Sequence, residues 1–196
     1  MSTKSVAGPF RAPRDRKKEP LEDYELGGLA INDASAGLEV QVWRGRYLDG
    51  AIVLDVPGVV EPVSVLEIAG VTEFQFTFDQ NMQPAIAYVV NDQTAHWYWF
   101  DATVPGFETL DLPEGSITPR CTLDDKRDAA GTRAAVSDII LTYLRDGVLY
   151  FRAQRERYED EHELETDLEG YELGQFGMNR RLRLQWQLVP RPPEEL

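Results

Sequence analysis

The run Phe74-Gln75-Phe76-Thr77-Phe78-Asp79 constrains this chain most tightly, because three aromatic side chains recur at every second position. Side chains alternate across a β-strand, so this spacing puts all three rings on one face, and no α-helix does so. Similar alternation recurs in Leu38-Glu39-Val40-Gln41-Val42-Trp43 and in Arg181-Leu182-Arg183-Leu184-Gln185-Trp186-Gln187-Leu188. After the first of these, Arg44 to Gly50 reads as a connection and Ala51-Ile52-Val53-Leu54 as a return strand. Two further segments read as copies of one unit. Pro84 to Val90 leads through Asn91-Asp92 to His96-Trp97-Tyr98-Trp99-Phe100. Asp138 to Arg145 leads through Asp146-Gly147 to Val148-Leu149-Tyr150-Phe151, with Tyr88 and Tyr143 in corresponding places. Asp-Gly between apolar runs is a strong hairpin signal, since both turn positions require positive φ.

The expected fold is therefore all-β. Antiparallel hairpins form a meander, arranged as a sandwich or like propeller blades. Hydrophobic residues make up 42% of 196, enough for a core. Expected core positions are Phe74, Phe76, Phe78, Ile86, Tyr88, Ile140, Leu149, Phe151, Leu184 and Trp186. Ser116–Ser137 lacks sustained alternation and reads as a long loop. Residues 154–170 are rich in charge, yet the surrounding pattern favours strand.

Three parts follow from composition. Residues 1–20 form a basic flexible arm, residues 21–189 a single β-rich domain, and residues 190–196 a proline-rich C-terminal tail. The arm carries Lys4, Arg11, Arg14, Arg16, Lys17 and Lys18 against Asp15 and Glu19, a net of +4. The remainder holds 14 basic and 32 acidic residues, a net of −18, within a total of −14. Such a body repels a phosphate backbone, so DNA contact is expected only through the arm. The arm's other attractive partner is an acidic neighbouring copy, and the plain alternative is a solvated tail. Pro9, Pro13 and Pro20 favour an extended segment over a helix. The single cysteine, Cys121, forms no disulfide within the chain and fits a reducing compartment. No apolar run approaches the roughly 20 residues of a membrane helix, and the N-terminus does not read as a signal peptide. No membrane partner is expected.

Signals for chemistry are weak. His96 reads as a packing residue beside Trp97, and His162 lies in the charge run Glu159-Asp160-Glu161-His162-Glu163. Arg120 could acidify Cys121, but neither histidine is placed as its base. No phosphate-binding glycine loop, paired-cysteine zinc pattern or HExxH occurs. Asp124-Asp125-Lys126-Arg127-Asp128 lacks the ligand spacing and glycine of a calcium loop, and it reads as an ion-pair cluster within the loop or between subunits. The expectation is a non-enzyme with no cofactor and no metal. Arg145, Arg152, Arg155 and Arg157 lie near the second hairpin, and nine acidic residues occur from Glu156 to Glu172. Opposite blocks this close suit pairing between identical copies, or else within the sheet. The candidate assembly-interface residues are Arg11, Arg14, Arg16, Lys17, Lys18, Asp124, Asp125, Arg127, Arg155 and Arg157.

Several short patterns carry a resemblance. They are Phe78-Asp79-Gln80-Asn81-Met82 with Pro84 and Tyr88, Leu123-Asp124-Asp125-Lys126-Arg127, and Ser137-Asp138 through Tyr143-Leu144-Arg145. Leu149 through Tyr158 follows, then Gly177-Met178-Asn179 with Arg181-Leu182. Across residues 25–189 the chain resembles small virion proteins of tailed bacteriophages. The resemblance implies a structural protein of neck, tail or tail tip, made in the bacterial cytoplasm and built into the virion. Its partners would be copies of itself and other tail or neck proteins. Two rival readings remain. One is a carbohydrate- or receptor-binding module using Trp43, Trp97, Tyr98 and Trp99, which stands only if those rings are exposed. The other is a hydrolase with a carboxylate pair, motivated by carboxylate number alone.

Overall fold

The computed structural model describes residues 29–31, 42–79, 81–91, 94–123, 138–178 and 183–191. Those residues form antiparallel strands with no α-helix among them. The strands are β1 (Leu29–Ile31), β2 (Val42–Leu48), β3 (Ala51–Val56), β4 (Val60–Glu67), β5 (Val71–Phe78), β6 (Pro84–Val90) and β7 (Thr94–Asp101). They continue with β8 (Gly106–Asp111), β9 (Ile117–Leu123), β10 (Ile139–Arg145), β11 (Val148–Ala153), β12 (His162–Glu165), β13 (Tyr171–Met178) and β14 (Leu184–Pro190). Among the described residues they make three four-stranded meanders, β1–β4, β5–β8 and β9–β12, followed by a two-stranded sheet, β13–β14.

The sheets stack face to face in chain order, and side-chain parity decides which core each residue enters. Phe74, Phe76 and Phe78 join Ile86 and Tyr88 against Ile52 and Leu54 of the first sheet. The opposite face of the second sheet sends Ala87, Trp97 and Trp99 onto Leu141 and Tyr143 of the third. The third sheet's other face packs Ile140, Leu144 and Leu149 onto Leu173 and Phe176 of the fourth. Gly45 of β2 allows the first approach, since a Cβ there would lie 2.7 Å from the Phe76 ring. The first strands of the sheets pack successively, β1 on β5, β5 on β9 and β9 on β13, whereas β4, β8 and β12 make no comparable contacts with one another. Sheets close along one edge and splayed along the other are the arrangement of propeller blades.

The repeat is visible in hydrogen bonds as well. Ile68 N–H donates to Gly50 O and Leu168 N–H to Gly147 O, both at 2.8 Å. Asn91 N–H donates to Gly70 O and Arg191 N–H to Gly170 O, again at 2.8 Å. Tyr88 and Tyr143 are both on the second strand of their sheet, and each faces the preceding sheet.

Asp146-Gly147 closes β10–β11 with φ of 51° and 72°, as expected for a type I′ turn. Asp49-Gly50 does the same for β2–β3 with φ of 49° and 79°. Arg44–Tyr47 is thus strand, not connection. Its polar look arises because Arg44 and Arg46 both bind Asp55 across the hairpin, at 2.6 and 2.8 Å, while Gly45 lies beneath Phe76. Ile117–Leu123 is also strand rather than loop, and residues 124–137 lie outside the described residues. Pro119 hides the pattern: it sits where the register shifts between Arg120↔Thr142 and Ile117↔Leu144, a bulge that tolerates its missing N–H. In residues 154–170 the expectation of strand holds only for β12. A 3₁₀ turn (Gln154–Glu156) comes first, and Arg157 and Tyr158 then take φ of 52° and 60°. Seven expected core residues are buried, while Phe151, Leu184 and Trp186 are half-buried. The basic arm and residues 192–196 of the C-terminal tail lie outside the described residues.

Candidate assembly surface

Of the charges that sequence offered for an interface, the two among the described residues, Arg155 and Arg157, pair within the chain. Arg155 binds Asp138 at 2.6 Å, and Arg157 binds Asp101 at 2.6 Å, both aspartates being buried. Asp101 also accepts from the Thr103 backbone and hydroxyl at 2.7 and 2.6 Å. The Thr103 hydroxyl hydrogen bond, supported by the Arg157 charge, outweighs burial and holds this carboxyl below its ordinary value. Arg157 thereby ties the β11–β12 connection to the end of β7. Arg11, Arg14, Arg16, Lys17, Lys18, Asp124, Asp125 and Arg127 lie outside the described residues.

Arg145 and Arg152 converge on one carboxylate. Glu161 accepts from Arg145 Nη1 and Nη2 at 3.0 and 2.5 Å, from Arg152 Nη2 at 3.2 Å, and from the Tyr143 hydroxyl. Arg152 Nε donates to Tyr143 at 2.8 Å, and its Nη1 to Tyr158 O at 2.7 Å. Burial alone would raise the Glu161 carboxyl, but hydrogen bonds from Arg145, Tyr143 and Arg152 lower it below its ordinary value. Burial pushes the Tyr143 hydroxyl up. Here opposite charges pair within the chain, joining β10 and β11 to the segment before β12.

Aromatic residues divide between core and surface. Trp97 and Trp99 are buried and meet Tyr158 edge-on at 5.2 and 4.9 Å, so neither can line a ligand site. Trp43 is half-buried against Phe78. Tyr98 is half-buried and stacks on Phe107 at 4.8 Å with the two rings nearly parallel, and Phe107 is 43% exposed. His96 stacks on Tyr88, and its Nδ1 lies 2.8 Å from Asp111. His162 is held rather than free in solvent: it stacks on Phe151 and its Nε2 lies 2.8 Å from Glu156. Cys121 is buried, which pushes its thiol up to about 12, while the Ala87 backbone and the Arg120 charge pull weakly the other way. Arg120 is instead paired with Glu73 and donates to Gly174 O at 3.0 Å, stitching β5, β9 and β13 together. Among the described residues, no group of three His, Cys, Asp or Glu is placed to hold a metal ion.

Each sheet also presents an outer edge strand, and an open edge templates pairing with other chains unless it is blunted. β4 contains Glu61, Pro62 and register shifts. β8 carries Glu108 and Asp111. β12 is four residues long and carries Glu163 and Glu165. β14, Leu184-Gln185-Trp186-Gln187-Leu188-Val189-Pro190, has no charged residue, and its proline is its last residue. Among the described residues β14 pairs only with β13. Its sheet has two strands against four in the third. On the third sheet's facing side, Leu149 and Ala153 are buried while Phe151, His162 and Leu164 of β11–β12 are only half-buried. Trp186 Nε1 donates to Glu165 at 2.7 Å, so β14 stands above β12. Sequence reasoning missed this edge, although the uncharged alternation of Leu184–Val189 was its signal.

No family model, curated protein or solved structure matches the chain.

Proposed function

We propose that the protein is a structural subunit of a tailed-bacteriophage virion, in its neck, tail or tail tip, working through contacts between subunits rather than catalysis. The observation that carries this reading is the β14 edge. Three outer strands bear charge, proline or short length against edge pairing, whereas the fourth bears no charge and holds a proline only at its last residue. A strand left open in this way suits addition of another segment, a common mode of protein assembly. The net charge of −18 outside residues 1–20 suits a particle through which DNA passes without sticking. Sedimentation of the full chain over a range of concentrations tests the reading. Species at multiples of 22.2 kDa support it, and a monomer at every concentration, absent from purified virions, overturns it.

A second reading has one specific support. Phe107 is 43% exposed, and its ring stacks on Tyr98 on the same face of the sheet as Asp111. Aromatic faces beside a carboxylate suit a sugar, whose C–H faces stack and whose hydroxyls donate. Binding to a glycan array that disappears in Phe107→Ala would favour this reading over assembly.

A further inference from the structure

We propose that residues 8–14 of a neighbouring copy add to the β14 edge as a third strand of the fourth sheet. The inference rests on the assembly reading and names the segment that assembles.

Parity within the arm is the first argument. In a strand, backbone N–H and C=O groups of every second residue point to the same side. Pro9 and Pro13 are four residues apart, so both can turn their missing N–H away from β14. Gly8, Phe10, Ala12 and Arg14 then present complete backbone groups to the edge. The same alternation puts Phe10 and Ala12 on one face, that of Trp186 and Leu188, above the half-buried Phe151 and Leu164. Arg11 falls on the opposite face, with Gln185 and Gln187. The outward prolines would also prevent a fourth strand from adding, so the new edge is blunted as β4 is.

Charge is the second argument. Beside β14, the segment 159–169 exposes Glu159, Asp160, Glu163, Glu165, Asp167 and Glu169. Arg155 and Arg157, just before it, are already paired with Asp138 and Asp101. An arm of net +4 supplies the cations this surface has in shortage.

Topology puts the donor arm and the acceptor edge at opposite ends of the subunit. The arm precedes β1 in the first sheet, and β14 is in the fourth, with two complete sheets between them. Stacked sheets are about 10 Å apart, so the two ends differ by roughly 30 Å. Residues 15–28 can span about 50 Å when extended, so the neighbouring source of the arm follows from the assembly reading, and a cross-link tests it. A subunit with a donor segment at one end and an acceptor edge at the other makes a heterologous contact, which propagates to a ring or filament.

The experiment exploits parity in the full chain. Ala12→Pro puts a missing N–H against β14, whereas Arg11→Pro puts it on the outward side, with Arg11→Ala as the charge control. Sedimentation should show assembly weakened at least tenfold in Ala12→Pro, and Arg11→Pro equal to Arg11→Ala. Arg11→Cys combined in turn with Gln185→Cys or Gln187→Cys should give a disulfide-linked ladder of chains on a non-reducing gel. Equal assembly by Ala12→Pro and Arg11→Pro, in a wild type that does oligomerise, overturns this inference and leaves the assembly reading standing. A link within one chain overturns the neighbouring source. A wild type that stays monomeric everywhere removes both.

Discussion

Replacing Glu161 with glutamine removes one charge and leaves the side-chain shape almost unchanged. The carboxylate accepts from Tyr143, twice from Arg145 and once from Arg152, and its side chain is 20% exposed. Hydrogen bonds to charged groups contribute about 1.5–3 kcal/mol each. Glutamine keeps one acceptor oxygen but turns an amide N–H₂ toward either Arg145 or the Tyr143–Arg152 pair. Two arginines with side chains 20% and 13% exposed lose their counter-charge. Discounted for the solvent that reaches Glu161, the loss is about 2–3 kcal/mol. In a chain of this size that lowers the melting temperature by roughly 4–12 °C. The difference depends on pH with a fixed sign. Because the folded carboxyl is held below its ordinary value of 4.5, its contribution is complete above that value and is lost as pH falls through the folded one. Calorimetry and urea unfolding of both proteins at pH 7 and again below pH 4 measure this. A loss under about 0.5 kcal/mol at pH 7, or a difference unchanged in acid, would refute the reasoning.

Two glycines should respond differently to alanine. Gly50→Ala meets nothing within 4 Å but must hold φ of 79°, costing about 1 kcal/mol. Gly45→Ala drives a methyl to 2.7 Å from the buried Phe76 ring and should cost more, about 1–3 kcal/mol, in urea denaturation. Leu141→Ala, at a fully buried position between the second and third sheets, should cost about 2–5 kcal/mol by the same assay. The Cys121 thiol, pushed up to about 12 by burial, should react with a thiol reagent at pH 8 no faster than the protein unfolds; rapid labelling of the native state would contradict its placement.

Legibility in the sequence followed the physics of each strand. β5 could be read because one face enters a core and the other does not fully do so, leaving a clean alternation of Phe with Gln and Thr. β6 and β10 are buried on both faces, so they appear as continuous apolar runs whose ends come from Asn91 and Asp146-Gly147. β2 was disguised because Asp55, eleven residues away from Arg44, satisfies its arginines. β9 was disguised by the bulge at Pro119. The Glu161 cluster was unreadable for a similar reason. Its partners lie 9 to 18 residues away, and a charged run looks solvated until the fold brings them under it. The fate of Trp97 and Trp99 turned on parity alone: Tyr98 and Phe100, the alternate residues of the same strand, are the half-buried ones.

The most direct test of the central claim is amide hydrogen exchange along β14, comparing the assembled full chain with a variant lacking residues 2–19. Residues Leu184–Val189 form an outer edge with pairing on one side only among the described residues. If the arm completes that sheet, their outward amides are protected in the full chain and lose protection on deletion, while β5–β7 exchange alike in both proteins. Identical exchange of β14 in the two proteins, with assembly retained, would contradict the account.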